Sequence, residues 1–449
     1  MRDLYIGVIY LAFLIFGMTA PFVATLGYVW VDTFYPQLVS GLVALIPTSV
    51  VMGGAALVFY VLLDRKSPAR FTTHTFLTLL FSAWVTATLM WAEVPEQAWL
   101  KWDWAGKTII FSAFIPIAIR SRIQIEAFLQ VYLFAALFHM IPVGVKTLIS
   151  GSAYGRSLGI LQGNVGLAES STLAAISIAL IPIMLYLRAH AVLIPVPWFR
   201  RLVYLGTAVI AIPAAIGTYA RTALVGFAVV GVSLFFQSRR KAFYLIGMFF
   251  LVVGFGLYAA DSWGERIATT AEFSEESSAL GRILVWQWTL GYVMENPLGG
   301  GFNSYLVDRI TMPGPEGTLV LVYGKAFHNM YIEVLGEHGF PGLFMFVTLL
   351  FLSLLDLRRV SRRTAGQEHL RWLHDLSRAV MTALLTIMVC GCFIGIAFQA
   401  FVWYLIALPV CLREYLHRLE ALERSAQPLA AGGSGRVAGP LVPAWRTAR

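Results

Sequence analysis

The chain is poor in charge and in cysteine. Asp, Glu, Lys and Arg make up 13% of its 449 residues, about half the roughly 25% of a soluble domain. That share excludes an ordinary water-soluble globule. The three cysteines, Cys390, Cys392 and Cys411, all lie in apolar runs and read as small core residues rather than a disulfide framework. No HExxH, Walker loop or Cys-x-x-Cys occurs. The one long polar stretch contains Asp261, Glu265, Glu272, Glu275, Glu276 and Glu295, but not in the spacing of an EF-hand or DxD site. We therefore expect no metal and no cofactor, and any phosphate handled must be neutralised by side-chain cations. No nucleic-acid-binding module accompanies the net charge of +9, so nucleic acid is not an expected partner.

What the chain has in abundance is hydrocarbon. It is 58% hydrophobic with a mean hydropathy of +0.74. Runs able to cross a bilayer, about 17–25 residues each, recur near 4–31, 41–63, 74–91, 105–119, 124–146, 167–187, 202–218, 222–237, 243–260, 339–357, 379–396 and 398–412. This is the pattern of an all-α polytopic membrane protein with about twelve transmembrane helices and membrane lipids as its surroundings. The first run reads as a retained anchor that breaks near Thr19-Ala20-Pro21. Were it instead two short helices in a hairpin, the N-terminus would lie outside and the remaining topology would stand.

Basic clusters fall in alternate loops: Arg65-Lys66 with Arg70, Arg120 with Arg122, Arg188 with Arg200-Arg201, Arg239-Arg240-Lys241, and Arg358-Arg359 with Arg362-Arg363. Under the positive-inside rule those loops are cytoplasmic. The expected organisation is nine membrane helices over 1–260, an outward loop with interfacial helices over 261–338, three more helices over 339–412, and a disordered inner tail over 413–449. A bilayer excludes so polar a segment as 261–338, since unsatisfied polar groups there cost several kcal/mol each. Chemistry is expected where this loop emerges.

Three residues stand out on that face. Arg221, in Gly217-Thr-Tyr-Ala-Arg221-Thr-Ala-Leu-Val-Gly226, lies in a short outer turn. Arg282, in Gly281-Arg282-Ile-Leu-Val-Trp286-Gln-Trp288, opens an amphipathic aromatic stretch. His328, in Phe327-His328-Asn329, precedes a helical pattern. Each has a plainer reading: a lone arginine as a headgroup anchor, a lone histidine as a helix-start hydrogen bond. Together, two guanidiniums and an imidazole can hold a pyrophosphate and accept a proton.

The order Tyr-Ala-Arg221-Thr-Ala-Leu-Val-Gly, Gly281-Arg282, Asn296-Pro-Leu-Gly-Gly-Gly301, Phe327-His328-Asn329 and Glu337-His338-Gly-Phe-Pro-Gly342 resembles the O-antigen ligase and polymerase superfamily. Met1-Arg-Asp-Leu, Ala20-Pro-Phe, Tyr28-Val-Trp and Val94-Pro-Glu96-Gln-Ala-Trp99 leading to Lys107 are more particularly similar to the O-glycosylation ligases associated with exosortase systems. The resemblance implies a GT-C-like architecture in a bacterial inner membrane. It also implies metal-free transfer, on the periplasmic face, of a glycan from undecaprenyl pyrophosphate to a lipid, glycan or protein acceptor. Arg221 and Arg282 then correspond to pyrophosphate-holding arginines and His328 to an essential loop histidine. In the second rank, Lys107 and Arg156 are expected phosphate or sugar contacts, and Asn329 and Glu333 neighbours of the histidine. The stretch 162–169 departs from the Asp-Asn-rich pattern of related ligases, which puts any role of Asn164 or Glu169 in doubt. Repeat-unit polymerisation with the same donor, and glycolipid transport without catalysis, remain alternative readings.

Overall fold

The computed structural model describes residues 1–64, 70–150, 166–238, 241–242, 246–247, 280–313 and 318–426. It is built almost wholly of helices. These are α1 (Arg2–Thr19), α2 (Pro21–Phe34), a short α3 (Pro36–Val39), α4 (Thr48–Leu63), α5 (Thr73–Ala87), α6 (Pro95–Ala118), α7 (Arg122–Ser150), α8 (Ser170–Ala179), α9 (Ile181–His190), α10 (Pro197–Ile216) and α11 (Thr222–Gln237). After them come α12 (280–295), α13 (Met330–Thr364), α14 (Arg371–Cys390) and α15 (Ala400–Ala426). Among the described residues seven helical stretches are long and apolar enough to cross a membrane, and α4 and α11 are shorter apolar helices. Proline at the first turn of α2, α6 and α10 starts those helices where its missing N–H would have had no partner.

The first hydrophobic run is a hairpin. The chain turns at Ala20, Phe13 meets Trp30 with ring centroids 5.7 Å apart, and the Gly41 N–H donates to Asp3 Oδ1 at 3.0 Å. The start of α1 and the end of α2 therefore share one end of the bundle. The reading of 4–31 as a single anchor gives way to the hairpin, because Ala20 is extended and Pro21 cannot donate the hydrogen bond that would continue α1.

The described members of the basic clusters gather at the opposite end, Arg65, Lys66, Arg239 and Arg240 lying outside the described residues. Arg120 pairs with Asp64, the Arg418 guanidinium donates to the Arg120 carbonyl at 3.1 Å, and Arg122 donates to the His190 carbonyl at 3.1 Å. Alternation in sequence has become one basic face in space, which α15 extends: it continues to Ala426, so the polar tail foreseen from Arg413 begins as helix. Beyond Arg413 this helix buries Leu416 and Leu419 while Leu422 faces out.

The other end, here the loop face, carries the one departure from an all-α fold among the described residues. Strands β1 (Arg309–Pro313) and β2 (Leu319–Tyr323) pair antiparallel, Arg309 opposite Tyr323. Ile310 and Met312 of β1 pack with Val285 of α12 and with Phe327, so the hairpin and α12 share a small core. The expected amphipathic helix is present, its buried positions Val285, Thr289 and Val293 falling four apart.

Candidate active site

The two glycine-rich stretches form the frame of the site by locking together. Gly300 N–H donates to the Gly336 carbonyl at 3.0 Å, Gly301 N–H to that of Glu337 at 2.8 Å, and Phe340 N–H to that of Pro297 at 3.0 Å. Gly339 adopts φ 66°, ψ −167° and kinks α13, a conformation essentially reserved for glycine. A side chain there would collide with the Pro297 carbonyl. Two tryptophans of the N-terminal region clamp the joint: Trp84 Nε1–H donates to the His338 carbonyl at 2.8 Å and Trp91 Nε1–H to that of Gly299 at 3.0 Å.

The kink sets the short first limb of α13 over a cavity of about 460 Å³. Four walls enclose it: α6 through Gln97, Lys101 and Trp104, the start of α8 through Glu169 and Thr172, the loop at His328, and the 394–399 turn between α14 and α15. Positions 97, 101 and 104 lie on one helical face. Lys107 falls off that face and pairs with Asp103 at 2.9 Å, so the structure does not bring it to the cavity. Lys101, not singled out in the sequence, takes that place.

Lys101 Nζ lies 2.8 Å from Glu333 Oε1 and 2.8 Å from Glu337 Oε1. The Glu337 side chain is 0% exposed and also accepts the Asn303 N–H at 2.9 Å, while Glu333 accepts the Ala397 N–H at 3.1 Å. Glu333 thus points to Lys101 and the 394–399 turn. Asn329 caps α13, its Oδ1 accepting from Tyr331 N–H at 2.9 Å and Ile332 N–H at 3.2 Å. His338, the motif's second histidine, is fully buried, with Nδ1 2.9 Å from Thr88 Oγ1 and rings of Phe302 and Phe398 against it. This is a packed position.

His328 opens onto the cavity. Its backbone is left-handed at φ 47°, an unfavoured conformation for a residue with a Cβ and one that clusters at functional sites. The neighbouring chain is pinned on both sides: Trp286 Nε1–H donates to the Phe327 carbonyl at 2.8 Å, and the Asp308 carboxylate accepts the Lys325 N–H at 3.1 Å. Desolvation by the surrounding protein, then the positive charge of Arg282, hold the imidazole pKa below its ordinary value, with Lys325 adding to the effect and Glu169 opposing it. Both effects favour the neutral form of the ring.

The end of the Lys325 side chain lies against Gly281. Arg282 and Lys325 thus flank His328 electrostatically. Arg221 stands apart from the cavity lining, exposed at the cap of α11, which packs on α8 and α14. Glu169 caps α8, accepting from Ser171 N–H at 3.1 Å and Thr172 N–H at 2.6 Å, while lining the cavity. Arg156 and Asn164 lie outside the described residues.

These features define a multi-pass helical membrane protein with a charged cavity under a kinked helix at one face of the bundle. Residues 206–347 match the family model described as O-Antigen ligase, which supports that superfamily and a ligase- or polymerase-type glycan transfer in the membrane. Residues 1–192 match a family of unknown function (DUF5935). No curated protein matches the chain. The cavity draws on both matched stretches: Lys101, Trp104 and Glu169 come from the first, His328, Glu333 and Glu337 from the second.

Proposed function

We propose that the protein transfers a glycan from a polyprenyl pyrophosphate of the undecaprenyl type to an acceptor hydroxyl, without metal, on the outward face of a bacterial inner membrane. The observation that carries this reading is His328, strained and held neutral beside Arg282, in a cavity within the O-antigen ligase match. In the reaction the acceptor oxygen attacks the anomeric carbon and the bond from that carbon to the phosphate oxygen breaks. The hydroxyl proton passes to His328, and the electron pair leaves with the lipid pyrophosphate. Negative charge grows on that leaving group, so guanidiniums near it favour the transition state over the ground state. Arg282, whose charge acts on His328, would supply one; Arg221, which stands outside the cavity lining, is assigned the other on the motif alone, and a two-pronged contact of either kind is one that lysine cannot reproduce. Lys101, Glu333 and Asn329 hold the cavity walls.

The test uses purified full-length protein in nanodiscs with a polyprenyl-pyrophosphoryl glycan. His328→Ala is expected to bind donor nearly as well as wild type while turnover falls about 10²–10⁴-fold, the usual worth of a positioned base. Arg282→Ala and Arg221→Ala should weaken donor binding, with Arg→Lys rescuing only in part. Activity should persist in excess EDTA. Transfer by His328→Ala at near wild-type rate would return the histidine to a structural role.

A further inference from the structure

The basic face has a cavity of its own, of about 470 Å³, on the far side of the bundle from the candidate active site. Arg70 precedes α5, Arg359 and Arg363 come from α13, Arg413 comes from α15, and Thr72 and Thr73 bring the first turn of α5 to the same wall. Four guanidiniums from three parts of the chain thus converge, against one lining carboxylate, Glu414. Three are partly committed. Arg413 donates to the buried Asp356 at 2.7 Å, and Arg359 lies 3.3 Å from the other oxygen of that carboxylate. Arg363 reaches Glu420 at 3.6 Å. The Arg359 and Arg363 side chains are 62% and 65% exposed, and such exposed pairs are weak. Arg70 is exposed and makes no ion pair among the described residues.

The geometry points to a second binding site here, for a phosphate-bearing anion. Arginine forks match phosphate oxygens bidentately, and basic pockets between membrane helices on the cytoplasmic side suit anionic headgroups. The cavity is not polar throughout. Val360 and Leu416 floor it, and Phe71 at its rim is 69% exposed and stacks edge-on with Phe76, 50% exposed, at 6.2 Å. A phosphodiester headgroup placed among the arginines would set its acyl chains along these two rings. A soluble phosphate would use the arginines alone.

The experiment is native mass spectrometry of the full chain released from phosphatidylcholine nanodiscs doped with phosphatidylglycerol. The site variant is Arg70→Gln/Arg359→Gln/Arg363→Gln, which leaves Arg413 on Asp356. The control, Arg362→Gln/Arg371→Gln/Arg424→Gln, removes the same charge from exposed positions of the same face. Monodisperse elution and an unchanged melting midpoint establish that both are folded. We expect retained phosphatidylglycerol to fall at least about fivefold in the site variant and to stay near wild type in the control, an arginine-fork effect that the matching Arg→Lys variant restores in part. Adducts that resist inorganic phosphate identify the lipid headgroup as the ligand. Displacement by inorganic phosphate, with protection by phosphate alone, identifies a soluble anion at the same site. Equal retention in the two variants, or equal loss, overturns the site and leaves only a diffuse basic surface.

Discussion

Replacing Lys101 by methionine should destabilise the protein in a way that depends on pH. The ammonium sits between two carboxylates, 2.8 Å from each, with side-chain exposures of 10% for Lys101, 10% for Glu333 and 0% for Glu337. At an effective dielectric of about 20, each contact is worth roughly 6 kcal/mol of Coulomb attraction, most of it offset by the desolvation of three charged groups. Methionine fills the volume but leaves two carboxylates facing each other without a cation. Removing one partner of a buried pair costs about 3–5 kcal/mol, and we expect a loss in that range at pH 8. The sign of the pH effect follows. Two buried carboxylates facing each other repel only while both are charged, so acid relieves in the variant the repulsion that Lys101 relieves in the wild type. The deficit against wild type should therefore shrink toward pH 5. Equilibrium unfolding in mixed micelles at the two pH values reads this directly, and adding Glu333→Gln and Glu337→Gln should recover most of the loss. A Lys101→Met cost under about 1 kcal/mol that does not change with pH would show the triad to be energetically idle and would refute the reasoning.

Further outcomes follow from other parts of the site. Because burial and Arg282 hold the His328 pKa below its ordinary 6.5, the acid limb of turnover should lie below pH 6.5. Lys325→Gln, which removes another lowering charge, should move that limb upward in a pH–rate profile. Gly339→Ala should lower the melting midpoint measurably, since a non-glycine residue in this backbone region costs about 1–3 kcal/mol before any clash with Pro297. In a Cys-less background, Asn296→Cys should react with an impermeant thiol reagent in whole cells and Arg371→Cys should not. A tag on the N-terminus should be accessible from the same side as Asn296, as the hairpin requires.

Much of the scaffold was legible because bilayer crossing needs only length and apolarity, which α7, α10 and α14 carry on their face. The turn at Ala20 was only half legible: Pro21 signals a break, but whether a chain bends or reverses there depends on what packs against it, here Phe13 on Trp30. In the site, Arg282 and His328 came from a local motif and the structure sets them in each other's field. Lys101 was missed because its partners are 232 and 236 residues away; nothing in the neighbourhood of Pro95 or Trp99 marks position 101 over 107. The 394–399 turn reads as plain membrane helix in hydropathy, and only the Glu333 carboxylate accepting from Ala397 N–H reveals it as a cavity wall. The β-hairpin is short, and alternation over five residues is too brief to distinguish from loop.

The Lys101 triad and the two tryptophan clamps also bear on how such a chain can be recombined. Every one of these contacts runs from the stretch 1–192 to the stretch 280–342, so the two separately matched segments are not interchangeable modules. A chimaera that takes its first segment from one relative and its second from another would inherit a lysine without its carboxylates, or a kinked backbone without the tryptophans that clamp it, unless both parents carry the same pairs. Swapping acceptor preference between relatives should therefore be attempted within the loop from 303 to 328, which leaves those joints inside a single parent.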